Sequence, residues 1–259
     1  MKLLLLLVAA VSILSAPVTV TAAEVKVSEA TQACIECHRV VHPGIVADWQ
    51  RSRHAATTPA RALGVQGLGR KVSSASVPAE LQDTAVGCAE CHTLRPKDHA
   101  DTFEHNGADI HIVVSPGDCR TCHSQEAEQY TKNIMSHAYR NLADNAVYND
   151  LERSILGRAQ RKDGRWSFEP PNAATKAEAC YYCHGTKLAV TGREVRTTEL
   201  AGELEFPRIE GWPNQGVGRV NLDGTLGSCA ACHTGTSFRS KWPANPTRAR
   251  SATSARTFP

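Results

Sequence analysis

The stretch Cys34-Ile35-Glu36-Cys37-His38 decides what kind of protein this chain encodes, because its pattern returns four more times. The other copies have the same spacing and are Cys88-Cys91-His92, Cys119-Cys122-His123, Cys180-Cys183-His184 and Cys229-Cys232-His233. Cys-x-x-Cys-His is the attachment signature of a c-type haem: both thiols bond to the porphyrin and the adjacent histidine ligates its iron. The five copies use all 10 cysteines and predict five covalently attached haem c groups. The predicted proximal iron ligands are His38, His92, His123, His184 and His233.

Zinc sites and disulfides explain the cysteines less well. A structural zinc site combines two Cys-x-x-Cys pairs and does not need a histidine directly after each pair. A disulfide framework does not repeat one fixed spacing five times. We therefore expect the haems to use every cysteine, with no disulfide.

The N-terminus has the pattern of an export signal. Met1-Lys2 gives a short positive start, residues 3–14 are apolar, and Thr21-Ala22-Ala23 supplies small residues for cleavage. Residues 1–23 are therefore predicted to be a secretory signal peptide, and the mature protein is predicted to be periplasmic. The alternative is that this segment is retained as an N-terminal membrane anchor.

Composition limits how the haems can be buried. The chain has 259 residues, so cleavage leaves roughly 235, or about 47 per haem, too few for a separate apolar core around each cofactor. Aromatic residues are only 5% of the chain, which fits a core that the porphyrins themselves fill. The formal charge of +3 is too small to indicate nucleic-acid binding.

The fold class expected is mainly α, a multihaem cytochrome c with a haem-packed core and long loops. Residues 24–233 form the pentahaem region, within which 126–160 are predicted to be helical. Glycines and a proline make 63–79 a predicted loop. Short strands are expected in a small β-like segment around residues 187–220.

The chain has almost no methionine, so the second axial ligands of the haem irons should come from histidines outside the motifs. Electron-transferring haems take a second His or Met ligand, but the methionines are only Met1 and Met135, so mostly bis-His haems are expected. His54 and His137 each follow a haem motif and lie in a Ser/His/Ala cluster, which makes them candidates. The complete set of candidate distal ligands is His54, His105, His111 and His137, with His42 and His99 less favoured.

Several stretches outside the haem motifs resemble octahaem hydroxylamine oxidoreductase-like cytochromes. The resemblance covers nearly all of the mature chain up to His233 and corresponds to the N-terminal half, with five of eight haems. The stretches that carry it are residues 43–49, 95–99, 105–107, 114–119, 180–186 and 210–219.

This resemblance implies a mostly helical fold that assembles as a homotrimer. It also implies a small nitrogen-containing substrate, through hydroxylamine or hydrazine oxidation or nitrite reduction, and a periplasmic electron-transfer partner. The family's catalytic iron belongs to its fourth haem, which here makes His184 the proximal ligand of the catalytic haem. No residue of this chain matches the tyrosine that oxidative members cross-link to that haem.

Two other functions remain open from the sequence. The first is a non-catalytic pentahaem electron-transfer cytochrome in which every iron has six ligands. The second is a pentahaem nitrite reductase, although those enzymes typically carry lysine in place of histidine at the catalytic motif, and all five motifs here end in histidine.

Residues 234–259 differ in composition from the rest of the chain. They hold no cysteine, histidine or acidic residue and are rich in Arg, Ser, Thr, Ala and Pro. Codons can be chosen for residues 244–259 such that the same DNA, read one base out of frame, encodes a further Cys-x-x-Cys-His. We therefore expect this tail to be a non-family segment produced by a frameshift, and the alternative is a disordered basic tail.

Overall fold

The structure is a computed structural model that describes residues 25–198, 200–214, 216–234 and 237–238. The predicted signal peptide, residues 1–23, lies outside the described residues. Of the predicted frameshifted tail, only the backbone of residues 234 and 237–238 is described. Among the described residues, no helix is both long and apolar enough to cross a membrane.

Short helices make up most of the regular structure. The α-helices, in chain order, are α1 Glu29–Val41, α2 Pro43–Gln50, α3 Arg53–Ala56, α4 Pro59–Gly64, α5 Cys88–His92, α6 Pro116–Cys119, α7 Ser124–Thr131, α8 Ala138–Ala143, α9 Ala146–Leu156, α10 Ala173–Glu178 and α11 Cys180–His184. Single turns of 3₁₀-helix lie at Gly67–Gly69, Ala79–Leu81, Pro96–Asp98, Ile134–His137 and Cys229–Ala231.

The strands form two-stranded antiparallel hairpins. They are β1 Phe103–His105 with β2 Ala108–Ile110, β3 Arg158–Lys162 with β4 Arg165–Glu169, β5 Ala189–Thr198 with β6 Gly202–Glu210, and β7 His233–Thr234 with β8 Ser237–Phe238. In the longest ribbon Ala189 pairs with Glu210 and Thr198 with Gly202. This mainly helical fold with a small β segment confirms the predicted fold class.

The predicted helix over 126–160 is interrupted in the structure. Asn133 and Asn145 each accept a hydrogen bond from a backbone N–H two residues later, at 2.9 and 3.0 Å, and so begin new helical segments. The C-terminal residues of this range turn into β3, whose side chains are all exposed. A fully exposed strand has no alternating apolar pattern, which is why the β3–β4 hairpin was not predicted.

Helix α1 is joined to the second haem motif through a single carboxylate. Ser28 caps α1 by accepting a hydrogen bond from the Thr31 backbone N–H at 3.1 Å. The Glu90 carboxylate accepts hydrogen bonds from the Ser28 hydroxyl, from the Thr31 hydroxyl at 2.6 Å and from the Gly87 N–H at 2.8 Å. A β-carbon on Gly87 would lie 2.4 Å from Thr31 Cγ2, so only glycine allows this approach. Glu90 therefore fixes the first two motifs against each other.

The apolar core beside this junction is small. Ile35, Val46, Trp49 and Ala85 form a buried cluster, and the Trp49 indole N–H donates to the Val86 carbonyl at 3.0 Å. Ile35 is the residue that follows the first haem-attaching cysteine. The few buried apolar side chains are therefore placed against a cofactor-attachment motif.

Candidate haem centres

Helical geometry gathers the reactive atoms of the first, second and fourth motifs. Helices α5 and α11 each begin at the first cysteine of a motif and end at its histidine. Residues three and four apart lie on one helix face, so two thiols and one imidazole project to the same side. All ten cysteines are free thiols in the structure. This arrangement fits a porphyrin attached at one edge and ligated from one face.

Two proximal histidines are held by backbone carbonyls. His92 Nδ1 lies 2.7 Å from the His111 carbonyl oxygen, and His184 Nδ1 lies 3.3 Å from the Ala138 carbonyl oxygen. A carbonyl can only accept, so each Nδ1 carries the proton and Nε2 has a free lone pair. Metal-bound histidines typically have this second hydrogen bond, which fixes their tautomer and ring orientation. These histidines are therefore prepared to ligate an iron through Nε2.

His105 stands opposite the proximal histidine of the first motif. The ring centroids of His38 and His105 are 6.2 Å apart. Two imidazoles that ligate one metal from opposite sides, each with a nitrogen about 2 Å from it, have centroids about 6 Å apart. His105 ends strand β1, whose pairing with β2 through a tight turn fixes the position of its ring.

His54 has the same relationship to the third motif. Its ring centroid lies 6.2 Å from that of His123, and its buried Nδ1 has no hydrogen-bond partner among the described residues. Burial, followed by the charges of His123 and His233, lowers the pKa of His54 to about 4. A neutral imidazole is the form that binds a metal. Ser52 caps the short helix that carries His54, so the Ser/His/Ala cluster lies at the start of a helix.

The remaining candidate ligands have other surroundings. His42 stacks on His38, with Nδ1 atoms 3.2 Å apart. His137 Nε2 lies 2.9 Å from the Thr131 carbonyl oxygen. Both ring nitrogens of His111 face backbone carbonyls, those of Val113 and Leu94, at 3.2 and 3.0 Å. The His111 ring is also close to a proximal histidine, with its centroid 6.0 Å from that of His92 in the second motif, although its nitrogens face carbonyls. Among the described ring contacts, His42 and His137 have no such spacing from a proximal histidine. The roles of all three as distal ligands stay predictions.

The last candidate, His99, belongs to a buried polar cluster. Its ring stacks on His111 with centroids 3.6 Å apart, and its Nε2 lies 3.1 Å from Asp118 Oδ1. Arg95 donates to the same carboxylate oxygen at 2.6 Å. Asp118 directly precedes the third motif and also accepts from the Ser115 backbone N–H at 2.7 Å. This cluster therefore orients the third motif, a role that the sequence pattern did not indicate.

Attachment points of different motifs adjoin one another. The side chains of Cys119 and Cys229 lie close together, although they are 110 residues apart in the chain (229 − 119), and their interaction raises the pKa of Cys119 and lowers that of Cys229. The third and fifth motifs therefore meet at their attachment edges, as the first two motifs meet through Glu90.

Ionisable groups lie against the fourth motif. Tyr181, its second residue, is buried, and its ring packs on Tyr139 with centroids 5.4 Å apart. Burial, together with the charge and hydrogen bond of Glu152, raises the pKa of Tyr181 to about 12. Glu152 is also buried and forms an ion pair with Lys176 at 2.6 Å. This Glu152–Tyr181–Lys176 group was not predicted, because the three residues are scattered in the sequence.

Comparison with known proteins agrees with this reading of the motifs. The family model described as "Cytochrome c554 and c-prime" matches residues 118–203, which contain the third and fourth motifs. A solved structure titled "Hypothetical multiheme protein" is 41% identical, with a TM-score of 0.73 over 80% of this chain. This chain covers 39% of the length of that protein.

Fold, motif geometry and these similarities define the class. The chain is a multihaem c-type cytochrome that binds haem c covalently. The number of haems, five, stays a prediction from the motif count.

Proposed function

We propose that this cytochrome is periplasmic and performs redox chemistry on small nitrogen compounds, hydroxylamine, hydrazine or nitrite, at its fourth haem motif. The observation that carries the proposal is the Glu152–Tyr181–Lys176 group against this motif. Oxidation of hydroxylamine and reduction of nitrite both move protons together with electrons, so such a site needs buried acid–base groups. The haem, when bound, supplies the electron chemistry.

Each residue in and beside the fourth motif has a separate role in this proposal. His184, held by the Ala138 carbonyl, provides the proximal ligand. The Tyr181 hydroxyl donates a hydrogen bond to the Glu152 carboxylate and keeps its proton, since the pKa of Tyr181 is raised to about 12. Lys176 forms an ion pair with the buried Glu152 carboxylate at 2.6 Å. The group can therefore hold a proton close to the motif in a region that water does not fill.

The other motifs then carry electrons to or from this site. His105 and His54, each 6.2 Å from a proximal ring, would give the first and third haems two histidine ligands. Bis-histidine ligation suits electron transfer, because it leaves no position for a substrate. The same two pairs favour the second candidate function, a pentahaem electron carrier without a substrate.

Assembly and partners follow from the same proposal. Because the resembled cytochromes are trimers that exchange electrons with a periplasmic partner, we propose both properties for this chain. Sedimentation of the haem-loaded protein measures the first, and reduction by candidate periplasmic donors measures the second.

Low-temperature electron paramagnetic resonance separates the two candidate functions. An enzyme should show one high-spin haem among low-spin haems, and its signal should change when hydroxylamine or nitrite is added. Five low-spin haems whose signals do not change when either compound is added would identify an electron carrier and refute the nitrogen chemistry.

Two variants test the acid–base group directly. Glu152→Gln and Tyr181→Phe should each lower turnover by about 100-fold or more, the usual contribution of a positioned acid–base group. Tyr182→Phe is the matched control, because its ring is adjacent in the motif and 45% exposed. Turnover that is equal in all three variants would contradict the proposed role of Glu152 and Tyr181.

A further inference from the structure

Arg219 is a buried cation whose hydrogen-bond partners are all neutral. Its side chain is among the most deeply buried in the described structure, with 2% of the residue exposed. The guanidinium donates to the Asn221 side-chain oxygen at 2.6 Å and to the Val114 carbonyl at 2.9 Å. It also lies over the Trp212 ring, 5.5 Å from the centroid. These partners satisfy the donors but do not cancel the charge.

No described carboxylate reaches the Arg219 guanidinium within 4.0 Å. Asp223 and Asp101 act on its charge from further away, and they do not offset the burial, which lowers the pKa of Arg219 to about 10. Arginine nevertheless remains protonated at any physiological pH. The interior therefore holds a permanent positive charge that is only partly compensated.

The position of Arg219 joins three haem motifs. Its neighbours in the chain bond to the fourth motif: Gly218 N–H donates to the His184 carbonyl at 3.1 Å, and Val220 N–H to the Thr186 carbonyl at 2.9 Å. The Arg219 carbonyl accepts from Gly227 N–H at 2.6 Å, two residues before Cys229 of the fifth motif.

The side chain of Arg219 reaches the third motif, since Val114 lies five residues before Cys119. Cys119 and Cys229 are the two cysteines whose side chains lie close together. The charge is thus placed where the third, fourth and fifth attachment sites converge.

We propose that Arg219 is an electrostatic tuning residue that raises the reduction potentials of the haems at the third, fourth and fifth motifs, with Asp223 as its partial counter-charge. One-electron reduction adds one negative charge to a haem, and a nearby cation stabilises the reduced form. Two charges about 10 Å apart in a protein interior of effective dielectric constant about 20 interact strongly enough to change an equilibrium about tenfold. This inference depends on haem attachment and not on the nitrogen chemistry.

Redox titration of the haem-loaded protein with optical detection tests the charge. In Arg219→Gln and Arg219→Met, the equilibrium constant for reduction should fall about tenfold at the affected haems, which is about 59 mV for one electron. Arg219→Lys keeps the charge and should keep those potentials, although it loses hydrogen bonds. Arg208→Gln is the control, because Arg208 is an exposed arginine of strand β6. Variants that lack one motif's cysteines assign each titration step to a haem.

Asp223→Asn tests the counter-charge in the opposite direction. The Asp223 carboxylate accepts from the Ser115 hydroxyl at 2.6 Å and from the Thr225 hydroxyl at 2.7 Å, and an asparagine oxygen can keep such a bond. Removing this negative charge should raise the same potentials that the neutral Arg219 variants lower. If Arg219→Gln and Arg219→Met do not accumulate with all haems attached, the potentials of Asp223→Asn alone test the proposal. Unchanged potentials in Asp223→Asn, or equal potentials in Arg219→Gln and Arg219→Lys, would overturn the proposal.

Discussion

The imidazole rings of His54 and His123 face each other across a centroid distance of 6.2 Å, at an interplanar angle of 52°. The two residues come from different elements, the short helix α3 and the end of the third haem motif. The gap is close to the roughly 6 Å that two imidazoles keep when they ligate one metal from opposite sides. This spacing is compatible with an axial ligand pair, and ligation by His54 stays a prediction.

Replacing His54 with alanine should convert one low-spin haem, that of the third motif, to high spin. The alanine removes a strong nitrogen ligand from the iron, and the potential of that haem should rise as the ferric form loses its donor. Low-temperature electron paramagnetic resonance measures the spin state. Arg53→Ala is the matched control, because Arg53 is exposed on the same helix. An unchanged spectrum in His54→Ala would remove His54 from the ligands.

His105→Ala should produce the same change at a different haem, that of the first motif. The expectation depends on the 6.2 Å distance between the rings of His38 and His105. The double variant His54→Ala/His105→Ala should then show two more high-spin haems than the unsubstituted protein, since the two pairs share no residue. Asp109→Ala controls for the hairpin, because Asp109 is an exposed residue of strand β2. A gain of only one high-spin haem in the double variant would show that the pairs have been assigned wrongly.

Glu90→Gln should loosen the junction between the first two motifs. The charged carboxylate accepts three hydrogen bonds, from Ser28, Thr31 and Gly87. Weakening such charge-assisted bonds and leaving a donor unpaired costs about 1–3 kcal/mol of unfolding free energy. Denaturant unfolding of the haem-loaded protein measures the change. Equal stability of Glu29→Gln, at the exposed start of α1, and Glu90→Gln would contradict this role.

Gly87→Ala should also destabilise the protein, by about 1–3 kcal/mol, the usual cost of forcing extra volume into a packed site. The added methyl would lie 2.4 Å from Thr31 Cγ2, so either α1 or the second motif has to move. Gly44→Ala is a matched substitution in helix α2, with nothing within 4 Å of the new carbon. Gly44→Ala should be neutral or stabilising, because alanine has the higher helix propensity. Similar losses in both variants would rule out a specific contact at Gly87.

Mass spectrometry of the mature protein should show five haem additions. Substituting both Cys180 and Cys183 with alanine should remove one addition, because each motif attaches its haem independently through two thiols. The optical spectrum should lose one haem while the others remain. Fewer than five additions in the unsubstituted protein would contradict the haem count, whichever motif is empty.

The sequence predicted the attachment chemistry because its spacing is local. The motif at Cys34, Cys37 and His38 needs only one helical turn, and no distant contact alters it. The Ser/His/Ala cluster also made His54 a candidate ligand, and the structure places its ring centroid 6.2 Å from that of His123. What could not be predicted depends on contacts between distant residues. Glu90 meets Ser28 across 62 positions, and Arg219 meets Val114 across 105.

The contact between the Cys119 and Cys229 thiols constrains how the protein can be made. Two thiols that lie close together can form a disulfide when their geometry permits and an oxidant reaches them. A chain that folded first could close this bond, which would take one thiol from the third motif and one from the fifth. Attachment of these two haems before folding, or thiols that are kept reduced, would prevent this. During biogenesis, folding therefore competes with haem attachment. Unless the thiols are kept reduced, the segment between Cys119 and Cys229 has to fold after the haems of the third and fifth motifs have been attached.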